Sequence, residues 1–416
     1  MSALAASPEP AIGEPLLSDA SLPAVRFLTG ADAVNVLRPP VEAAGGELLS
    51  ATPRSVQYRP GSDLVVKYAA EVMWPGSDAK RETIMAATGV NGVPEGTVPV
   101  GALANGRRLE VGVWRWPFDP VLVGLTAAVT PRTVAELCDL GDPHAVSVEV
   151  LAFRPTERAV VRVTSPNETR YLKVVPPSQV DGLVRRHRLA CEAGVPAPVV
   201  RQVVRELGVV VLDELFGPLF KNEIKSGTPA WPQPDEFNRL ADLFGRIDAD
   251  LPHVPSRVRH AVLHADMLRA ADEANAARLD QLCDAFAGFT DSVESQTIHG
   301  DLHEGQIIVD AVRIVGVLDL DDLGTGSPLE ERANLLGFLH YRSITVPDRR
   351  GRISDYARRL RDRSPAHFDR RELDIATAAV LVGLATGPFR IQQPGWQHTV
   401  STLLDHAAAL LPTTTN

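Results

Sequence analysis

The sequence predicts an α+β protein, rich in strands up to residue 217 and dominated by helices beyond it. Three observations predict this. β-branched runs recur in pairs around turn residues through the first half of the chain. From residue 235 onward, apolar residues recur at helical spacing. One short hairpin, residues 307–318, interrupts the helices and carries an acid-bearing loop at each end.

Taken in order, residues 56–68 read as two strands around Pro60-Gly61, a turn pair that pre-sets φ and then relaxes it. Residues 108–116 read as another strand, closed by Trp114, Trp116 and Phe118. Residues 131–140 read as a short helix with Pro131 in its first turn. A second hairpin spans 148–163, and a third strand follows at 170–175 with Lys173 in it. The two hairpins echo each other at an offset of 95: Tyr58-Arg59-Pro60 against Phe153-Arg154-Pro155, and Val65-Val66 against Val160-Val161. Independent use of the same hairpin chemistry, rather than duplication, is the expected cause of so short an echo. A helix over 179–193 stops at Gly194-Val195-Pro196. An apolar strand over 209–215 follows. Phe237, Leu240, Leu243, Phe244 and Ile247 mark a helix over 235–248, one or two more occupy 258–289, and four close the chain at 330–341, 354–363, 371–384 and 396–411.

The chemistry concentrates between His299 and Asp322. Asp301 lies in a polar loop before Ile307-Ile308-Val309, and Asp319 follows the second β-branched run at 313–318. Loop, hairpin and loop return the chain to its start, so both carboxylates can face one pocket. Phosphoryl transfer asks for this set: a base to orient a hydroxyl, oxygen ligands for a divalent metal, and a cation on the phosphates. Asp301 suits the first need, and Asp319 with Gln306 suits the second, because Mg²⁺ prefers oxygen donors. Plainer explanations compete. The carboxylates could be solvated loop residues. His299 and His303 could bind zinc, although no third ligand falls at useful spacing. Asp321 and Asp322 read more readily as a solvated acidic turn than as further metal ligands.

His299-Gly300-Asp301-Leu302-His303 and Val317-Leu318-Asp319, followed by Gly324, Gly326, Pro328 and Glu331, resemble the aminoglycoside phosphotransferase family. The resemblance implies a bilobal protein-kinase-like fold and ATP-dependent phosphorylation of a small-molecule hydroxyl. It implies Asp301 as catalytic base, Asp319 as Mg²⁺ ligand and Lys173 as the cation on the phosphates of ATP. It also implies that the segment Asp213–Leu215 is the hinge that meets adenine. His299 would brace the loop, with His303 and Asp321 in support, and Pro328, Glu331 and Asn334 would start a helix buttressing the metal loop. The family's lysine pairs with a Glu on the next helix; here that helix offers His187 and, at its end, Glu192, so the partner stays open. Gln306 stands where most members have Asn, which is similar to the maltokinase and glucosamine kinase branch of actinobacterial sugar kinases. The expected acceptor is then a sugar or amino sugar, with an aminoglycoside or a non-catalytic binding module as alternatives.

The rest of the sequence bounds these readings. At 416 residues and 44% hydrophobic, the chain divides by expectation into a flexible tail (1–21), a cap-like extension (22–141), a kinase-like N-lobe with hinge (142–217) and a helical C-lobe (218–416). A net charge of −10 argues against nucleic acid as partner. Cys138, Cys191 and Cys283 are scattered and read as reduced core residues. The start lacks a basic, then apolar, leader, and no apolar run approaches a membrane span, so a cytoplasmic monomer or homodimer is expected. Five lysines stand against 37 arginines, which marks each lysine as a candidate for chemistry.

Overall fold

In the computed structural model, Leu17, residues 19–104 and residues 107–411 are described; most of the expected N-terminal tail lies outside them. The chain divides into two compact units. One contains the described residues up to Pro120 with two later segments, 270–273 and 387–399; the other contains the rest, including 121–141.

The first unit is built on five antiparallel strands, β1 (Glu47–Arg59), β2 (Asp63–Met73), β3 (Lys80–Gly89), β4 (Val98–Ala104) and β5 (Arg107–Arg115), in the order β1-β2-β3-β5-β4. Alternation decides the buried face of β2: Leu64, Val66, Tyr68, Ala70 and Val72 point inward. Helix α1 (Ala33–Ala43) turns Ala33, Leu37 and Val41 inward and packs on β1. Fully buried Tyr68 keeps its hydroxyl satisfied by donating to Leu28 O at 2.5 Å. The sequence reading located the β1–β2 hairpin and β5 but passed over β3 and β4.

The second unit opens with another five-stranded antiparallel sheet, β6 (Ser147–Arg154), β7 (Arg158–Thr164), β8 (Thr169–Val174), β9 (Val200–Val204) and β10 (Val209–Asp213). Its order is β6-β7-β8-β10-β9, the same connectivity as the first sheet. The hairpins also share register, Arg59 pairing with Asp63 and Arg154 with Arg158. The correspondence is therefore wider than the short sequence echo, because it extends to strand order. The two sheets differ at one connection: between β8 and β9 the chain forms α2 (Val180–Glu192), which packs Val180 and Leu183 onto Val175, Val210 and Leu212.

Beyond β10 helices take over, including α3 (Pro234–Gly245), α4 (Arg257–Ala271), α5 (Ala276–Ala287), α6 (Pro328–Thr345), α7 (Arg350–Asp362), α8 (Arg370–Arg390) and α9 (Trp396–Leu410). The start of α6 follows capping chemistry: Ser327 Oγ accepts from Glu330 N at 3.1 Å, Pro328 takes the first position, and two acids occupy the first turn. Helix α8 is long and apolar enough to cross a membrane by composition, a point the sequence reading missed; 72% of its apolar window is buried within the fold. This pairing of β-rich and helical parts is the predicted α+β arrangement. The three cysteines are free and only partly buried, so they are not core residues as expected.

His187, in the middle of α2, is 1% exposed. Its Nδ1 lies 2.9 Å from the Pro198 carbonyl, while Nε2 is buried without a partner. Protonation would therefore create a buried, unpaired N–H, and burial pushes the imidazole pKa down to about 4. An unfolded His takes its proton near pH 6.5, so the unfolded state gains protons first as pH falls. Stability from this site should be complete above pH 6.5 and decline toward pH 4, by at most about 3 kcal/mol. Chemical denaturation of wild type and His187→Gln from pH 7.5 to 5 should show a shallower pH slope in the variant. Equal slopes would remove this assignment.

Candidate active site

All the predicted site residues lie in the second unit, and short strands bring them together. β11 (Gln296–Ile298) pairs antiparallel with β14 (Gly324–Gly326), closing the polar loops against each other. Between them, β12 (Ile307–Asp310) and β13 (Arg313–Val317) form the expected hairpin, turned at Ala311 with φ 51°. Asp319 emerges with φ 60° and ψ 61°, and a single 3₁₀ turn, Leu320–Asp322, follows.

The two loops are stapled by one side chain. His299 is fully buried; its Nε2 donates to Leu318 O at 2.8 Å, and its Nδ1 accepts Asp301 N at 3.2 Å. Gly300 sits at φ 87°, and a Cβ there would lie 2.2 Å from Asp322 O. Only glycine allows this approach of backbone to backbone. Glu331 Oε1 accepts Gly300 N at 3.2 Å.

Asp301 is partly exposed and held through one oxygen. Its Oδ1 accepts from Asn334 Nδ2 at 3.3 Å and from an Arg257 guanidinium nitrogen at 3.2 Å. Oδ2 faces His303 Nε2 at 4.0 Å, and the His303 ring stacks on Phe338 at 3.9 Å between centroids. Buried Asn334 also donates to Leu302 O at 3.1 Å. Helix α6 therefore buttresses the Asp301 loop, rather than the Asp319 loop that the sequence reading assigned to it.

Asp319 sits in a second cluster. Lys173, 5% exposed, reaches from β8 to Asp319 Oδ1 at 2.6 Å and also bonds Asp321 Oδ1. From the start of β7, Arg158 spans Asp319 Oδ2 at 3.3 Å and Asp321 Oδ2 at 2.9 Å. Gln306 Nε2 donates to Asp319 Oδ2 at 3.2 Å. Burial opposes ionisation of Asp319, but Lys173 and Arg158 outweigh it and hold the carboxyl far below the usual carboxylate range. Asp321 is not the solvated turn residue expected: its side chain is 17% exposed and bonded to two cations. The open question of the lysine's partner is answered within the same loop, by Asp319 and Asp321. Glu192 lies at the surface and pairs with Arg188 at 3.8 Å. Asp322 is exposed, and its carboxyl is raised by partial burial and by the Asp301 and Asp321 carboxylates.

At the end of β10, the Asp213 carboxylate accepts from Arg201 Nε at 2.6 Å, so the segment has its backbone to offer and not this side chain. Leu215 lies against Gly316 of β13, and Phe216 is 81% exposed. Sequence reasoning missed Arg158 and Arg257. Their acidic partners lie 163 and 44 positions away, so no local pattern announces either.

The sequence profile of the phosphotransferase enzyme family matches residues 153–374, a span that begins in β6 and encloses every residue of both clusters. The chain belongs to the phosphotransferase enzyme family. It is a small-molecule kinase, with a hydroxyl group as acceptor. No curated protein matches it. Among solved structures, the chain is similar to aminoglycoside phosphotransferase APH(4)-Ia in complex with ADP and hygromycin B. That likeness has 13% identity and a TM-score of 0.48, over 68% of this chain and 98% of that one. A choline/ethanolamine kinase family protein from Mesorhizobium loti shares 14% identity over 69% of this chain and 96% of its own, with a TM-score of 0.45. The GDP and kanamycin complex of APH(2")-IIia shares 14% identity over 63% and 93%, with a TM-score of 0.45.

In this kinase the approach at Gly300 should be indispensable. Gly300→Ala combines a strained φ with a backbone clash, and should cost at least about 2 kcal/mol of stability. In protein that remains folded, turnover should fall more than thermal stability accounts for, because the two loops must separate. Wild-type turnover in a folded Gly300→Ala protein would show that the loops need not touch.

Proposed function

We propose that this phosphotransferase moves the γ-phosphoryl group of ATP onto a hydroxyl of an amino sugar. The observation that carries the reading is the convergence of Asp301 and Gln306, Asp319 and Lys173 from three separate segments of the chain. Asp301 acts as base: Asn334 and Arg257 hold its Oδ1, which leaves Oδ2 to orient the acceptor hydroxyl and take its proton. Lys173, fixed in β8, steadies the non-transferred phosphates. The backbone of Asp213–Leu215 meets adenine. His299 carries no proton in the reaction; it positions Asp301 relative to Asp319.

The donor set suits Mg²⁺. Asp319 and Gln306 supply oxygens only, and Gln306 turns its amide nitrogen to Asp319, which leaves its carbonyl oxygen for a ligand. These two residues would hold the ion, whose charge neutralises the phosphate oxygens when bound. Asp321 supports the site by sharing Lys173, and His303 supports it by flanking Asp301.

The acceptor class follows from charge. Lys173 and Arg158 pair with Asp319 and Asp321, whereas the Asp322 carboxyl is raised first by burial and then by the Asp301 and Asp321 carboxylates, which puts a further acid near Asp301. An ammonium group beside the reacting hydroxyl answers that charge, which supports an amino sugar over a neutral one. Gln306, shared with the maltokinase and glucosamine kinase branch, supports a sugar ring. An aminoglycoside also carries amines and is the second reading. In this proposal the N-terminal unit serves as a cap-like extension.

Turnover of ATP should be measured against glucosamine and other amino sugars, glucose, maltose, kanamycin and hygromycin B. Amino sugars should lead; a preference for maltose or an antibiotic would replace the acceptor. Asp301→Asn should cut turnover at least about a hundredfold with ATP affinity nearly intact. Asp319→Ala should abolish Mg·ATP binding in calorimetry, while Gln306→Asn keeps substantial activity. Full turnover in the first variant, or normal Mg·ATP binding in the second, would sink the mechanism.

A further inference from the structure

The turn between β6 and β7 is too short and too poor in donors to hold a triphosphate. Protein kinases cover the phosphates at this point with a glycine-rich loop, whose freed backbone N–H groups face the oxygens. Here only Pro155, Thr156 and Glu157 separate the strands. Pro155 has no N–H, and Glu157 N is used on Arg154 O at 3.1 Å. The first residue of β7 is Arg158, which places a guanidinium where the backbone offers little.

That guanidinium is already engaged. It straddles the Oδ2 atoms of Asp319 and Asp321, while Lys173 holds the Oδ1 atoms from the other side. Two carboxylates and two cations give a cluster with no net charge. Gln306 adds a bond to Asp319 Oδ2, so every oxygen of the proposed metal ligand has a partner. A divalent ion entering this site must displace one of them. Lys173 is 5% exposed and locked in the middle of a sheet. The Arg158 side chain keeps 24% of its surface and hangs from the end of a strand, so it is the partner free to leave.

We infer that Arg158 is a second phosphate cation that also guards the metal site: its fork rests on Asp319 and Asp321 and moves to the nucleotide phosphates when Mg·ATP enters. The planar fork matches phosphate oxygens as well as it matches carboxylates, so the exchange replaces one pair of charge-assisted hydrogen bonds with another. The device couples metal and nucleotide. A bare metal ion competes with Arg158, and only a metal ion arriving with phosphates gives Arg158 a new partner. The inference rests on the site roles proposed above.

The prediction is a pair of opposite signs. In Arg158→Gln, Mn²⁺ should bind the nucleotide-free enzyme roughly tenfold more tightly, because a competing charge is gone, while Mg·ATP should bind tenfold to a hundredfold more weakly. Arg158→Lys retains the charge without the fork; it should bind bare Mn²⁺ nearly as wild type does and Mg·ATP at an intermediate level. Mn²⁺ binding followed by electron paramagnetic resonance, with nucleotide binding by calorimetry, reads both quantities without turnover. A residue that merely supports the fold would weaken both. Both weakened in Arg158→Gln and in Arg158→Lys, or both unchanged, overturns the guard role. Asp319→Ala separates this failure from that of the underlying reading: unaltered Mn²⁺ binding there removes the metal site itself, whereas lost binding leaves the site standing and tests Arg158 alone.

Discussion

A largely buried carboxylate must be kept ionised, and the architecture of the site follows from that requirement. Asp319 leaves β13 in a left-handed conformation and enters surroundings that disfavour its charge. Its charge is sustained by cations from two neighbouring strands of another sheet, Lys173 on β8 and Arg158 on β7. The antiparallel pairing of β7 with β8 sets those side chains beside each other, Val160 facing Lys173 in the ladder. The sheet thus supplies the counter-charge that lets the Asp319 loop exist. Asp321 shares both cations, so an acid that looks redundant in the sequence balances the cluster.

Asp301 is held by a different kind of constraint. Asp301 and Asp319 belong to loops that hydrogen bonds of the β11–β14 pair close together, and His299 bridges them with both ring nitrogens. A neutral imidazole suits that task because one nitrogen donates while the other accepts. Gly300 permits the approach, and α6 secures it through Glu331 and Asn334. The positions of the two loops are therefore fixed by backbone pairing together with the His299, Glu331 and Asn334 side chains.

The fold was legible where local pattern and tertiary demand agree. The hairpins that turn after Arg59 and Arg154, the apolar strand that ends at Asp213 and the amphipathic helix around Leu240 and Phe244 were all readable from period and turn chemistry. β3 and β4 were not, because Lys80-Arg81-Glu82 and a run broken by Pro99 and Gly101 carry little strand signal of their own. They are strands because they pair with β2 and β5. Helix α8 looked shorter than it is, since its continuation past Leu384 depends on burial that spacing does not reveal.

By itself the sequence determined the α+β class, the loop–hairpin–loop that presents Asp301 and Asp319, and Lys173 as a cation worth watching. Each is a short-range pattern, written in residues a few positions apart. The tertiary structure alone decided the partners: Asp321 and not Glu192 for Lys173, Arg158 for Asp319, Arg257 and Asn334 for Asp301. Those pairs join segments far apart in the chain, and charges meet only after hydrophobic burial has set the distances between the elements that carry them.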